Sequence, residues 1–140
     1  VDVGLLRRLA HLAPTAFGEG NRLFTEFKGA LTENFVLQTL ITQLEVVPRY
    51  WTQNNPPYEV DFLIQRENGI FPVEVKSGTN TTGKSLKKFK ELFPYQVKLR
   101  VRFSSDNLKL DDDVLNIPLF MADQTDRLID LALEQRNSGA

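Results

Sequence analysis

Two runs decide the fold: Tyr58-Glu59-Val60-Asp61-Phe62-Leu63-Ile64-Gln65, then Ile70-Phe71-Pro72-Val73-Glu74-Val75-Lys76-Ser77. Arg66-Glu67-Asn68-Gly69 links them. Each run alternates, with Val60, Phe62 and Ile64 on one face of the first and Phe71, Val73 and Val75 on one face of the second. Asn-Gly is a strong hairpin signal, because both residues tolerate positive φ. The pattern predicts an antiparallel hairpin with a shared apolar face. Two registers fit. With Asn68-Gly69 as the turn, Asp61 lies opposite Lys76; with Glu67-Asn68 as the turn, it lies opposite Glu74. In both, Asp61, Glu74 and Lys76 share the face turned away from the core.

On either side, the pattern alternates between helix and strand. Asn21 to Leu44 carries Leu23, Phe27, Leu31, Leu37, Ile41 and Leu44 at helical spacing. A short strand is expected at 49–52, and Asn54-Asn55-Pro56-Pro57 reads as a loop. After the hairpin comes a Gly/Thr/Asn/Ser loop over 77–83. A helix is then predicted over 84–93, stopped by Pro94. Val97 to Phe103 alternates apolar with basic residues and reads as a strand. A last short strand is expected over 116–121 and a closing helix over 123–135. This order predicts an α/β fold, a central mixed β-sheet flanked by helices. Residues 1–20 hold a short apolar helix pattern and a Pro/Gly loop, expected to be a linker from an absent upstream part. Residues 21–140 form the domain.

Composition narrows the chemistry. The 140 residues include no Cys and one His, His11. Disulfide scaffolds, thiol catalysis and histidine-rich zinc sites are excluded. A metal site would need oxygen ligands, which favours Mg²⁺. No stretch approaches a membrane span, and no signal peptide is visible, so a cytoplasmic location is expected. The net charge is −1, but it is unevenly spread. Lys76 to Arg102 holds eight basic residues and one acid, Glu91, whereas Asp106 to Glu134 holds eight acids and two bases. The basic segment suits a polyanion such as DNA or RNA, with Lys84, Lys87 and Lys88 as nucleic-acid contacts; it equally suits a solvated helix face.

Asp61 and Glu74 on adjacent strands can hold a divalent cation between them, and Lys76 beside them can orient water or stabilise charge on a phosphate. Glu33 falls on or beside the apolar stripe of the long helix, where an acid costs energy unless it is paired or binds a metal; a boundary residue that reaches water or pairs with a nearby Arg or Lys fits equally.

These residues resemble the PD-(D/E)XK nuclease superfamily, whose members share a restriction-endonuclease-like fold. The Asp2-to-Leu6 opening, the helix from Phe27 to Phe35, Tyr50-Trp51, Glu59-Val60-Asp61-Phe62, Glu74-Val75-Lys76-Ser77-Gly78, Ser85-Leu86 and Ile117-Pro118-Leu119 are more narrowly similar to the C-terminal domain of unknown function of bacterial and archaeal AAA-type ATPases. The resemblance implies Asp61 and Glu74 as metal ligands, Lys76 as the catalytic lysine and Glu33 as a supporting acid. It also implies a partner in the same chain, an upstream ATPase domain. The superfamily's Pro-Asp pair is not intact, since Val60 precedes Asp61.

Two alternatives stay open. One is a non-catalytic module that docks nucleic acid or protein through the basic segment. The other is nucleotide binding by Gly78-Thr79-Asn80-Thr81-Thr82-Gly83-Lys84-Ser85, which fits the P-loop spacing but lacks a matching Walker B strand. Tyr50 and Trp51 could stack on bases, but aromatic residues on a strand more often belong to a core, and Asp111-Asp112-Asp113 reads as an exposed turn.

Overall fold

The computed structural model describes residues 22–54, 57–67, 69–76 and 84–139. The expected linker over 1–20 and the loop over 77–83 lie outside the described residues. Helix α1 (Arg22–Leu40) leads into β1 (Glu45–Asn54), β2 (Pro57–Arg66) and β3 (Gly69–Val75). Then come α2 (Lys84–Leu92), β4 (Arg100–Ser104), β5 (Lys109–Asp111), β6 (Val114–Pro118), a 3₁₀ turn (Leu119–Gln124) and α3 (Thr125–Ser138).

The strands form one sheet in the order β1-β2-β3-β4-β6-β5. The β1-β2 and β2-β3 pairs are antiparallel, β3-β4 and β4-β6 parallel, and β5-β6 antiparallel. This is the expected mixed sheet with helices on both faces. One face packs Phe62, Ile64, Phe71, Val73, Val101 and Phe103 against Val36 and Leu40 of α1 and Leu128, Ile129 and Ala132 of α3. The other packs Leu63, Val60 and Val97 against Phe89 of α2. A parallel β3-β4 pair needs a crossover connection, and α2 supplies it.

The hairpin takes the register with Arg66 opposite Gly69 and Ile64 opposite Phe71. Gly69 has φ of 146°, and a Cβ there would meet the Gln96 carbonyl oxygen at 2.9 Å. Glycine is therefore required both by its backbone angle and by the neighbouring chain. Arg66 anchors the tip to α3 through Asp126 at 3.7 Å and through Asp130, and its guanidinium lies 5.9 Å from the Phe71 ring centre.

Several element boundaries differ from expectation. Helix α1 stops at Leu40 rather than Leu44. There the Thr39 carbonyl is met by side chains, accepting from Thr42 Oγ1 at 2.7 Å and Gln43 Nε2 at 3.2 Å, while the Leu40 carbonyl accepts the Gln43 and Leu44 N–H groups. Strand β1 is much longer than 49–52. Its pairing shifts by one residue between Pro48 and Trp51, a bulge within the strand. Strand β4 begins at Arg100, because Val97 makes only an isolated bridge to Ile70. Strand β6 begins at Val114 and ends at Pro118, where the 3₁₀ turn replaces the expected end of the strand. The three-residue β5 was not anticipated. It reaches β6 through Asp112, whose φ of 53° is a left-handed value that Asp adopts in tight turns.

Candidate functional site

The β1 bulge sits where β2 carries Asp61. Pro48 pairs with Phe62 and Trp51 with Val60, so residues 49 and 50 together oppose Asp61. A bulge increases local twist and re-aims side chains. Val60 accordingly packs in the α2 cluster, not with Phe62 and Ile64 as strict alternation required.

The regular β2-β3 pairing runs as far as Phe62 opposite Val73. One step further in that register, Asp61 faces Glu74. There the ladder changes character. The Val75 N–H donates to Asp61 Oδ2 at 2.8 Å, a side-chain oxygen. The Lys76 N–H is already given to β4, donating to the Phe103 carbonyl at 2.8 Å. Strand β3 is leaving β2, and the Asp61 carboxylate spans the opening.

Glu74 is buried, 7% exposed, an unusual place for a carboxylate. Its Oε1 lies 2.9 Å from Lys76 Nζ. Its other oxygen, Oε2, is buried with no hydrogen-bond partner among the described residues. Leaving a buried carboxylate oxygen unsatisfied is costly, and such a group calls for a partner.

Burial pushes the pKa of Asp61 up to about 7, above its ordinary 3.8. The Val75 N–H pulls it down, and the negative charges of Glu33, Glu74 and Glu59 raise it. The half-buried Glu33 of α1 thus contributes to the field at Asp61. It also lines a cavity of about 390 Å³ with Ala30, Asn34, Leu37, Pro48 and Phe62. Glu59 was not singled out in the sequence. Its position two residues before Asp61 on β2 was the available signal.

Among the described residues no three His, Cys, Asp or Glu side chains form a metal-holding group. Asp61 and Glu74, opposed when the β2-β3 register is extended by one step, are a pair of carboxylates that could hold a metal. That suits a hard divalent cation which keeps most of its waters or takes substrate oxygens.

The basic segment divides in two. Lys84 and Lys87 on α2 are exposed and Lys88 is half-buried. Lys90 and Arg100 instead converge on Asp113, with Arg100 bound through Nε at 3.1 Å and its terminal nitrogen at 2.6 Å. Asp113 is fully buried, which corrects the reading of 111–113 as an exposed turn; only Asp111 and Asp112 are exposed. Burial alone would raise the Asp113 pKa, but the hydrogen bonds from Arg100 and Lys90 outweigh it and hold it below 3.8. The row of Lys98, Arg100 and Arg102 is likewise not one solvated face, since Arg102 Nε donates to Asn116 Oδ1 at 3.2 Å. In the P-loop pattern, Ser85 Oγ accepts a hydrogen bond from the Glu59 N–H at 3.2 Å, while residues 78–83 lie outside the described residues.

Residues 28–120 match the sequence profile of the family described as domain of unknown function (DUF4143). The chain belongs to that family. No curated protein matches the sequence significantly. Among solved structures, the DUF4143 domain is similar to the small subunit (R.BspD6I2) of the heterodimeric restriction endonuclease R.BspD6I. The TM-score is 0.51 at 10% identity, covering 98% of this chain and 90% of that one. At this identity the likeness establishes the fold, which is restriction-endonuclease-like. Protein VC1899 from Vibrio cholerae matches with a TM-score of 0.44 at 16% identity, over 92% of this chain and 41% of that one; this weaker likeness carries no argument. Among the described residues no helix of the DUF4143 domain is long and apolar enough to cross a membrane.

Proposed function

We propose that this DUF4143 domain is a Mg²⁺-dependent phosphodiesterase acting on DNA or RNA, with Asp61 and Glu74 as the metal ligands. The observation that carries the reading is the Glu74 carboxylate, buried beside Asp61 with one oxygen paired to Lys76 and the other without a partner. Lys76 meets one oxygen, but a buried carboxylate oxygen left without a partner still costs stability unless a donor or cation reaches it. Bound Mg²⁺ would activate water and neutralise charge on the phosphate.

The chain's own groups do the rest. Asp61 accepts from the Val75 N–H through Oδ2, which fixes the carboxylate across the strand opening. Lys76 is held by Glu74 at the same opening, where its ammonium group orients water and stabilises charge growing on the phosphate oxygens. Glu33 concentrates negative charge on Asp61 and so raises its demand for a cation. Lys84, Lys87 and Lys88 on α2 are the proposed contacts to the nucleic-acid backbone.

The wider reading is that residues 21–140 serve as the C-terminal domain of a cytoplasmic AAA-type ATPase, with residues 1–20 as the linker. A docking module without catalysis is the second reading. It is favoured by the lack of a third converging carboxylate among the described residues.

The test is cleavage of single- and double-stranded DNA and RNA in Mg²⁺ by the wild type, Asp61→Ala and Lys76→Ala. Catalysis predicts cleavage by the wild type and losses of about 10²-fold or more in both variants. Cleavage that survives both substitutions, or none by the folded wild type on any substrate, would overturn it.

A further inference from the structure

The register carries the polar row of the site across the rest of the sheet. Glu74 pairs with Arg102 on β4, Arg102 with Asn116 on β6, and Asn116 with Lys109 on β5. Their neighbours Val73, Val101, Phe103, Leu115 and Ile117 fill the core on the α1/α3 face, so these four residues share the opposite face. Adjacent strands lie about 4.8 Å apart, which places Arg102 one strand from the candidate metal ligand Glu74.

At the far end of this row is a cavity of about 340 Å³ lined by Arg102, Lys109, Asn116, Asp106, Asn107 and Asp111, among others. Its floor is fixed by hydrogen bonds. Asn116 is buried, and its Oδ1 accepts from Ser104 Oγ at 2.6 Å and Arg102 Nε at 3.2 Å. Its Nδ2 donates to the carbonyls of Asp106 at 3.2 Å and Asn107 at 3.0 Å. One buried amide therefore sets both the Arg102 side chain and the loop that forms the cavity wall.

We infer that this cavity receives the nucleotide unit next to the phosphodiester held at Asp61 and Glu74. Arg102 and Lys109 take its phosphate, and Asp106, Asp111 and Asn107 offer acceptors to the amino and imino groups of its base. A guanidinium suits phosphate better than a point charge because its planar fork presents several donors. The mixture of two cations and two acids fits a nucleotide, which carries both an anion and hydrogen-bond donors. The inference rests on the nucleic-acid reading above and adds a subsite to it.

The test is fluorescence anisotropy of a short fluorescein-labelled single-stranded oligonucleotide, as DNA and as RNA, in Ca²⁺ over a range of salt. The proteins are the wild type, Arg102→Gln, Arg102→Lys, Lys109→Gln and Lys87→Gln. Lys109 is exposed on an edge strand, so its variant keeps the test valid if Arg102→Gln fails to fold. The expected result is about 10-fold weaker binding for Arg102→Gln, partial recovery in Arg102→Lys and about 3-fold weaker binding for Lys109→Gln. Each charge removed should lower the salt slope by about 0.7 on these single strands, which a purely structural role would not do. Binding by both Gln variants within twofold of wild type, with Lys87→Gln weakened, would overturn the subsite and leave the nucleic-acid reading standing. No binding of either oligonucleotide by the wild type would overturn both.

Discussion

Asp61 carries a charge that the fold does not want at neutral pH. Its folded pKa of about 7 lies above the ordinary 3.8. Below 3.8 the group is neutral in both states and costs nothing. Between 3.8 and about 7 the folded state holds the proton more tightly, so stability falls as pH rises. The full penalty, on the order of 4 kcal/mol, is present above pH 7, and more than half of it develops between pH 5 and pH 8. Urea denaturation of the metal-free chain at pH 5 and pH 8 should show that loss, and Asp61→Asn should remove most of it. Equal pH dependence in the two proteins would show that Asp61 is not the source. Cation binding requires the ionised form, so affinity should rise with pH through the same range.

Asp113 has the opposite sign. Its folded pKa is depressed, so its stabilisation is present above 3.8 and is lost as pH falls through the lower folded value. Asp113→Ala leaves Lys90 and Arg100 facing each other without their counter-ion. It should cost about 3–5 kcal/mol at pH 7, measured by the same denaturation.

At the scale of elements, the hairpin and the end of α1 position the site. Gly69→Ala should destabilise the hairpin by about 1–3 kcal/mol, because the added Cβ meets the Gln96 backbone and the φ is strained. A thermal melt would measure it, and an unchanged midpoint would contradict the tight turn. Gln43 does at a distance what a cap residue usually does locally. Its Oε1 accepts from the Asp126 N–H at 3.1 Å at the start of α3, and its Nε2 donates to the Ala122 carbonyl at 3.0 Å. Gln124, the residue in the cap position, makes no such bond. Gln43→Ala should therefore cost about 1 kcal/mol in the same melt.

These elements also mark what could be read from sequence. The β2-β3 hairpin was legible because alternation and Asn68-Gly69 are local signals, and so was α2, bounded by Lys84 and Pro94. Strand β5 was hidden because three residues are too few to show a period. The length of β1 was hidden by Pro48 and by the bulge, which interrupts alternation at the point where it opposes Asp61. The burial of Asp113 was invisible because its partners lie 13 and 23 residues away, brought together only when α2 packs on the sheet. The hairpin register stayed open in the sequence because both turns preserve the same alternation; the structure pairs Arg66 with Gly69. The sequence also suggested Asp61, Glu74, Lys76 and Glu33 as one group, but their electrostatic coupling depends on the helix-to-sheet packing.

For the whole molecule, the sheet separates two kinds of charge. Asp113 and its cations form a closed set that ties α2 to β4 and to the residue just before β6. Asp61 and Glu74 form a second set, in which Lys76 pairs with one Glu74 oxygen while the other, buried, has no hydrogen-bond partner among the described residues. The first set ties elements of the fold together; the second leaves a buried carboxylate oxygen to be met, which is the basis of the proposed metal site. The decisive measurement is calorimetric titration of Mg²⁺ and Mn²⁺ into the wild type, Asp61→Ala and Glu74→Ala at pH 8. A metal site at the strand opening requires saturable binding by the wild type and its loss in both variants. Binding that survives both substitutions, or a folded wild type that takes up neither cation, would contradict it.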